Sequence, residues 1–362
     1  MTATTWILGA SDPEMAAIEQ LLHECWQSVA HATVEGRRVR PDQAYLADAV
    51  IKAGRPATIP RGPVVLVECG GPALDRCADC GQASDGQGFG LSVDATGQHS
   101  AQCMSSNLHH WPIGGAIGPL RCDHHRPGDP GYGRPPAEFM GASSLGQVIV
   151  QLAVQGVLSA AWVIPPRVLL TAAADHCLAA AYAGMCPGVD PGELAQYRLR
   201  QRAEYLHSLP VGDPASQAVE AAIDNAGDAC CDPDCWEWGL RAVYASTKAA
   251  LQAAPRIRLG DVAGGPEVID LRSVGTLPEL REVLARTGQC AIYRLPRGPR
   301  FLVGLLGAGE GSIPGPGPAE AFLGGWAQAQ GLVGIYPDHD GTPEGIRQAS
   351  VRGYAGGYEV ER

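Results

Sequence analysis

The sequence predicts an α/β protein, with a mainly parallel sheet in an N-terminal domain and a smaller α/β C-terminal domain. In the first half of the chain, short apolar runs alternate with segments whose apolar residues recur at helical spacing. The run Pro63–Cys69 is apolar apart from Glu68, as expected of a strand in a parallel sheet covered on both faces. The 362 residues, 45% of them hydrophobic, are enough for two domains with substantial cores.

The first elements alternate between strand and helix. Thr4–Ala10 predicts a buried strand, after which Ser11 or Asp12 can cap a helix over Met15–Trp26. The next predicted elements are a strand at Val29–Val34, a short helix over 42–53, the strand Pro63–Cys69, a Gly/Ser/Cys/His-rich insertion at 70–119 and a strand at about Pro119–Cys122. Helices follow at Ser143–Ser159, Pro166–Tyr182 and 191–207.

The domain boundaries follow from these elements. Residues 1–207 form the predicted N-terminal domain. A polar connector at 208–235 and a helix at 236–253 make a helical linker over 208–260. Residues 261–362 form the C-terminal domain, with predicted elements at Glu267–Leu271, Leu277–Arg286, Ala291–Leu295 and Phe301–Leu306.

Composition limits the classes of binding partner and indicates the cellular compartment. The net charge is −11 and no Lys/Arg run is present, which disfavours a duplex-DNA binder. A small phosphorylated substrate or a short single-stranded nucleic acid fits better, because metal ions can supply the positive charge. The sequence predicts a cytoplasmic protein that does not enter the membrane, so its 12 cysteines should be thiols or metal ligands. The sequence is also compatible with a homodimer.

Acids and imidazoles follow several of the predicted strands. Asp12 and Glu14 come after the first, Glu68 ends the third, and Asp123-His124-His125 follows the next. Because parallel strands bring their carboxyl ends to one edge, we expect these side chains to meet there. Clustered carboxylates repel one another unless cations bind, and oxygen ligands with imidazoles suit Mn²⁺ or Mg²⁺, one or two ions. Simpler alternatives are that Asp12 only caps a helix and that Glu68 is a solvated loop acid.

The Asp123-His124-His125 tripeptide after a strand resembles the signature of DHH phosphoesterases. That superfamily includes RecJ-like exonucleases, nanoRNA and cyclic-dinucleotide phosphodiesterases, and manganese pyrophosphatases. Its other motifs resemble segments that occur in the same order within about residues 5–180: Asp12-Pro13-Glu14, Glu68, Ala142-Ser143-Ser144 and Asp175.

The resemblance implies a role for each matched residue. It implies that Asp123, His124 and His125 are catalytic, with His125 facing the substrate phosphate. It implies metal ligation by Asp12, Glu14, Glu68, His124 and Asp175; a helix-surface acid is the alternative for Asp175. The segment from Arg352 to Gly356-Gly357 resembles the glycine-rich substrate loop of the family's second domain.

The chain also departs from the family pattern. Ile7–Ala10 stands where the family usually has a histidine, and glutamate replaces aspartate at positions 14 and 68. The longer side chains displace the carboxylates, so the site could hold one metal, hold two differently, or lack activity.

The sequence therefore predicts a metal-dependent phosphoesterase that hydrolyses a small phosphodiester, such as a short oligonucleotide or a cyclic dinucleotide. The alternatives are a pyrophosphatase or nucleotide polyphosphate hydrolase, and a catalytically inactive nucleotide-binding protein on the same scaffold. A third alternative is that the DHH tripeptide occurs by chance.

The insertion carries a second candidate metal site. Cys77 and Cys80 form a C-x-x-C pair, and Cys103 and His109 follow. Three thiols and an imidazole suit a structural Zn²⁺ ion. Because a second tight cysteine pair is absent, reduced cysteines in a loop are an equally good interpretation.

Overall fold

The computed structural model describes residues 4–47, 49–57, 64–70, 91–93, 99–101, 120–125, 129–132, 134–159, 161–210, 212–226, 233–258, 267–274, 277–297, 300–306, 333–334 and 354–361. The chain divides into two compact units. The first unit comprises residues 1–131 and 142–163, and the second comprises residues 132–141 and 164–362. The predicted boundary near 207 falls inside the second unit.

The first unit is built on a seven-stranded mixed sheet, which confirms the α/β class. Its elements are β1 (Thr5–Leu8), α1 (Pro13–Glu24), β2 (Ser28–Val34), β3 (Arg37–Arg38), a 3-10 helix (Pro41–Leu46), β4 (Ala49–Lys52), β5 (Arg55–Ala57), β6 (Val64–Val67), the separate hairpin β7 (Leu91–Val93) and β8 (His99–Ala101), β9 (Leu120–Cys122), the end of the short α2 (Phe139–Ala142), and α3 (Ser144–Val154). The order is β5-β4-β2-β1-β6-β9, with β3 also on β2. Strands β2, β1, β6 and β9 are parallel, and β3, β4 and β5 pair antiparallel.

The central strands and their helices follow from the sequence pattern. Strands β1 (TWIL) and β6 (VVLV) are buried throughout, as expected for the middle of a parallel sheet. Helix α1 begins where the Asp12 side chain accepts a hydrogen bond from the Met15 N–H, with Pro13 at its first position. Helix α3 begins in the same way at Ser143, whose hydroxyl accepts from the Gly146 N–H.

The predicted helix over 42–53 is wrong in its second half. A 3-10 helix over Pro41–Leu46 is followed by the β4–β5 hairpin, whose tight turn has Ala53 at φ 49° and Gly54 at φ 74°. The apolar spacing fits a helix, but β-branched Val50 and Ile51 pair with β2 and extend the sheet. Tertiary pairing therefore overrides the local helical pattern.

The second unit combines helices with a six-stranded sheet of order β10-β11-β12-β13-β15-β14. Its elements, after residues 132–141, are α4 (Pro166–His176), α5 (Leu178–Tyr182), α6 (Pro191–His207), α7 (Gln217–Asn225), α8 (Pro233–Ala253), β10 (Arg256–Arg258), β11 (Glu267–Asp270), α9 (Leu280–Thr287), β12 (Ala291–Arg297), β13 (Arg300–Leu306), β14 (Val333–Gly334) and β15 (Tyr354–Glu361). Its main core joins α6, α8, α9 and the sheet through apolar side chains that include Leu199, Leu240, Val283 and Tyr293.

Two predictions in the second unit need correction. The helix predicted over Pro166–Tyr182 breaks at Cys177, whose φ of −154° and ψ of 52° are not helical. The segment 208–235, expected to be a polar connector, contains helix α7, which buries Val219 and Ile223 at positions i and i+4.

Two expectations from the sequence concern membrane insertion and the chemical state of the cysteines. No single helix there is long and apolar enough to cross a membrane, although the bent pair Pro136–Ala142 and Ser144–Val154 passes by length and composition. Six described cysteines are thiols, namely Cys25, Cys69, Cys122, Cys177, Cys186 and Cys290. Cys235 is disulfide-bonded, which departs from the expectation of thiols or metal ligands throughout.

Candidate metal centre

Glu68 occupies an unusual position directly after β6. Its backbone φ is +49°, in the left-handed region that non-glycine residues rarely adopt, and the residue is only 7% exposed. The Gly9 N–H donates to the Val67 carbonyl at 2.9 Å, and a Cβ at Gly9 would clash with the Glu68 carbonyl. Glycine at position 9 therefore permits the close approach of the β1 and β6 ends that places Glu68.

Asp123 organises the turn that follows β9. Its Oδ1 accepts hydrogen bonds from the backbone N–H groups of His124 (2.7 Å) and His125 (3.0 Å), and lies 3.0 Å from His125 Nδ1. Its Oδ2 accepts from the Tyr45 hydroxyl at 2.6 Å. Burial favours the neutral acid, but His125 and Tyr45 outweigh it and lower the pKa of Asp123 to about 2.

Gln147 on α3 fixes the same turn from the other side. Its Oε1 accepts from the Asp123 N–H at 3.0 Å, and its Nε2 donates to the carbonyls of Asp123 (3.0 Å) and Ala142 (2.7 Å). The Gly131 N–H also donates to the Asp123 carbonyl, and a Cβ at Gly131 would clash with Ala142 and with Cβ of His124. One amide side chain and one glycine thus place the two histidines.

The two histidine rings stack beside the start of α3. Their centroids are 4.2 Å apart, and His124 Nδ1 lies 3.2 Å from the Ser144 hydroxyl. Whichever partner donates, this hydrogen bond orients the His124 ring, in the way that outer partners orient metal-binding histidines. His124 is buried, and the His125 side chain is about one-third exposed.

The two acids near the start of α1 contact helix N-termini. Asp12 caps α1 through the Met15 N–H at 2.7 Å. Glu14 is buried, and its Oε1 accepts from the Leu145 N–H of α3 at 2.9 Å. Carboxylates are favourable at such positions because the N-terminal amide groups carry partial positive charge.

Ligand atoms of Glu68, His124 and His125 lie within 4.8 Å of one another, and the same holds for Glu14, Glu68 and His124. Glu68 Oε1 lies 3.8 Å from His124 Nδ1 and 3.9 Å from His125 Nδ1, too far for hydrogen bonds. Within the described residues this buried oxygen has no hydrogen-bond partner. Burying a carboxylate in this way is costly unless a cation compensates, so the cluster fits a metal ion.

The structure places the predicted site residues as follows. Of the five predicted metal ligands, it gathers Glu14, Glu68 and His124, and it adds His125. Asp12 belongs to no ligand cluster found among the described residues, and Asp175 is an exposed residue near the end of α4 in the second unit. Roles for Asp12 and Asp175 in metal binding stay predictions.

The predicted zinc ligands Cys77, Cys80, Cys103 and His109 lie outside the described residues, as does Arg352. Gly356 and Gly357 lie within β15 and not in a loop, and their substrate role stays a prediction.

Sequence reasoning missed the residues that position this cluster. Tyr45 is 78 residues from its partner Asp123, and Gln147 is 24 residues away. No local pattern predicts contacts at such separations. A polar residue on the apolar α3, flanked by Gly146 and Val148, was the one available signal for Gln147.

Comparison with protein-family models, with curated proteins and with solved structures finds no match for this chain. The geometry of the cluster and the order of the motifs are therefore the basis for a functional proposal.

Proposed function

We propose that this protein is a divalent-metal-dependent hydrolase of a small phosphodiester, such as a short oligonucleotide or a cyclic dinucleotide. The observation that carries the proposal is Glu68, a buried carboxylate on a left-handed backbone with two imidazoles beside it. One of its oxygens has no hydrogen bond to any of the residues that the structure describes. Backbone strain together with a buried carboxylate oxygen that lacks a hydrogen bond is typical of a functional site.

The residues of the cluster would have different roles in binding the metal ion and the substrate. Glu68, His124 and Glu14 would hold Mn²⁺ or Mg²⁺. The ion would supply a Lewis acid that polarises a phosphoryl oxygen. The His125 ring, held through Nδ1 by Asp123 and about one-third exposed, would contact a phosphate oxygen or the leaving oxygen of the substrate.

The order of the motifs supports phosphoester chemistry in particular. This chain has an acid after β1, an acid after β6, Asp-His-His after β9 and a capped helix at Ser143. These features follow one another in the same order as the motifs of the DHH phosphoesterases that they resemble. On this proposal, residues 1–207 form a DHH-like domain and residues 261–362 a substrate-binding domain. The acidic charge favours a small phosphorylated substrate over duplex DNA.

A nucleotide-binding protein without turnover is the second candidate. It is favoured because Asp12 and Glu14, which would complete a two-ion centre, both accept hydrogen bonds from helix N-termini. A cluster with fewer available acids could hold one ion and a nucleotide phosphate without hydrolysing it.

Metal binding is tested first, by thermal unfolding with Mn²⁺ and with chelator. We expect Mn²⁺ to raise the Tm of the wild type and of the control Glu24→Gln, which alters an exposed acid on α1. Glu68→Gln should remove the rise, since an amide oxygen is a weaker ligand. An equal rise in Glu68→Gln would place the ion elsewhere and remove the basis of the proposal.

Turnover is tested next on a linear dinucleotide, cyclic dinucleotides, pyrophosphate, a nucleoside triphosphate and a longer oligonucleotide. A hydrolase should release product only with added metal, and His124→Ala should abolish release while keeping the fold. Ligand recovered intact from metal-loaded protein would favour the binding candidate. Pyrophosphate as the preferred substrate would favour a pyrophosphatase.

A further inference from the structure

Two cysteine thiols lie in contact in the second unit. Cys177 separates α4 from α5, and Cys186 lies nine residues further on. Their sulfur atoms are 3.1 Å apart, and the residues are 0% and 3% exposed. A disulfide bond is about 2.05 Å long, so a movement of about 1 Å would turn the contact into a bond.

The local fold holds the two sulfurs together. The Cys177 carbonyl accepts from the Ala181 N–H, which starts the short α5 from the same residue that carries the thiol. After α5, Gly184 has φ +74°, and the Met185 N–H donates to the Ala180 carbonyl. This is the hydrogen-bond pattern of a Schellman turn, which reverses the chain and returns Cys186 toward Cys177.

We propose that Cys177 and Cys186 are a redox-responsive pair that closes reversibly into a disulfide. The proposal is independent of the metal centre and of the hydrolase function. It assigns a modification site to the second unit, with a low-molecular-weight disulfide as the oxidant.

The disulfide would form by two successive thiol–disulfide exchange reactions. The Cys186 thiolate attacks one sulfur of the small disulfide, which forms a mixed disulfide and releases one small thiolate. The Cys177 thiolate then attacks the Cys186 sulfur and releases the second small thiolate. Two protein thiols are oxidised, one small disulfide is reduced to two thiols, and the two protons leave with those thiols.

Cys186 is suited to the first attack by its surroundings. The hydrogen bond with Cys177 lowers the pKa of the Cys186 thiol, although burial opposes this. Its neighbours Met185 and Pro187 are exposed, and Gly188 also has a positive φ. Cys186 thus lies at the edge of its core cluster, where a local opening of this surface turn would expose the sulfur.

The test equilibrates the full-length protein in mixtures of reduced and oxidised glutathione. After an acid quench, a maleimide blocks the remaining thiols under denaturing conditions, and mass spectrometry of the peptides locates every linkage. We expect a peptide pair joined through Cys177 and Cys186, lighter by two hydrogen atoms than the reduced pair. Cys186→Ser should abolish this pair, and Cys25→Ser, at a half-exposed thiol in the first unit, should not.

Thermal unfolding gives a second readout on the same samples. Closing this short loop should raise the Tm by about 5 °C over the reduced protein, and this gain should be absent in Cys177→Ala. The proposal fails if both cysteines remain alkylatable at every glutathione ratio. It fails equally if Cys177 or Cys186 links only to glutathione or to another cysteine, because the contact would then be simple core packing.

Discussion

At the scale of the residue, Glu68 combines two features that oppose folding. Its left-handed backbone costs about 1 kcal/mol or more, and its buried Oε1 has no hydrogen bond within the described residues. Structures keep such features where function requires them, and stability is then traded for activity. The trade can be measured directly, because glycine accepts this φ without strain.

Glu68→Gly should raise the free energy of unfolding of the metal-free protein by about 1 kcal/mol and abolish stabilisation by Mn²⁺. Urea unfolding with chelator and with Mn²⁺ measures both effects. Glu35→Gly is the matched control, because Glu35 has φ 52° in the exposed turn before Gly36. It should relieve the same strain and keep the response to Mn²⁺. A less stable metal-free Glu68→Gly protein would show that the carboxylate is structural.

Tyr45 acts one step away from the cluster, through Asp123. Tyr45→Phe removes the 2.6 Å hydrogen bond to Asp123 Oδ2 and leaves the ring in place. We expect a loss of about 1 kcal/mol in stability and a fall of roughly tenfold in Mn²⁺ affinity, as for other outer-shell partners. Isothermal titration calorimetry with Mn²⁺ measures the affinity. Tyr205→Phe, at a half-exposed tyrosine in the second unit, should change neither quantity. An unchanged affinity in Tyr45→Phe would mean that the turn holds its shape without this bond.

At the scale of the element, helix α3 is tied to the β9 turn by the side chain of Gln147. Gln147→Leu has a similar volume but removes the hydrogen bonds to the Asp123 N–H and to the carbonyls of Asp123 and Ala142. Of these groups, the Asp123 carbonyl keeps a second donor, the Gly131 N–H. We expect a loss of about 3 kcal/mol in the free energy of unfolding, measured in urea. Gln151→Leu, one turn later on the same helix and half-buried, should cost much less. Equal losses would show that α3 tolerates neither change for general packing reasons.

The sequence predicts elements well where one face or one strand is uniformly apolar. Helix α6 has the predicted bounds, 191–207. The predicted strands 4–10 and 63–69 contain β1 and β6, each with one extra residue at its start and two at its end, because buried runs have strong local signals. The β4–β5 hairpin is not predicted, because its apolar spacing also fits a helix. Its Ala53-Gly54 turn between β-branched Val50-Ile51 and Arg55 was the missed signal.

Part of the candidate site can also be predicted from the sequence. Parallel strands bring their carboxyl ends together, so the gathering of Glu68 with His124 and His125 follows from the topology. Which carboxylate remains available for a metal does not follow. It depends on side-chain contacts between distant elements, such as the Leu145 N–H with Glu14 and the Tyr45 hydroxyl with Asp123.

At the scale of the whole molecule, stability in acid should depend on a buried charge cluster in the second unit. Glu282 on α9 accepts hydrogen bonds from Arg198 of α6 at 3.1 and 3.2 Å, from Arg286 at 3.1 Å, and from the Tyr182 hydroxyl. Burial favours the neutral acid, but Arg198, Tyr182 and Arg286 outweigh it and lower the pKa of Glu282. One carboxylate thus connects α5, α6 and α9.

A lowered pKa in the folded state makes stability depend on pH in one direction. The contribution of Glu282 is fully present above its ordinary value of 4.5 and is lost as the pH falls through the lowered pKa, because the unfolded chain then binds the proton first. Glu282→Gln should lose roughly 3 kcal/mol at neutral pH, since Arg198 and Arg286 keep their charges without a counter-ion. Its deficit should shrink as the pH falls through the lowered pKa of Glu282, because the wild-type carboxylate then also becomes neutral.

Urea unfolding from neutral pH down to about pH 3 measures both curves. Glu267→Gln is the control, because Glu267 is half-exposed and its contact with Arg256 is 3.8 Å long. That variant should follow the wild type, since exposed ion pairs contribute little. Hydrogen exchange at α6 and α9 identifies where protection is lost in acid. A deficit in Glu282→Gln that stays constant over the whole pH range would show that the lost contribution is packing. In that case the acid response of the second unit would have to arise from groups other than Glu282.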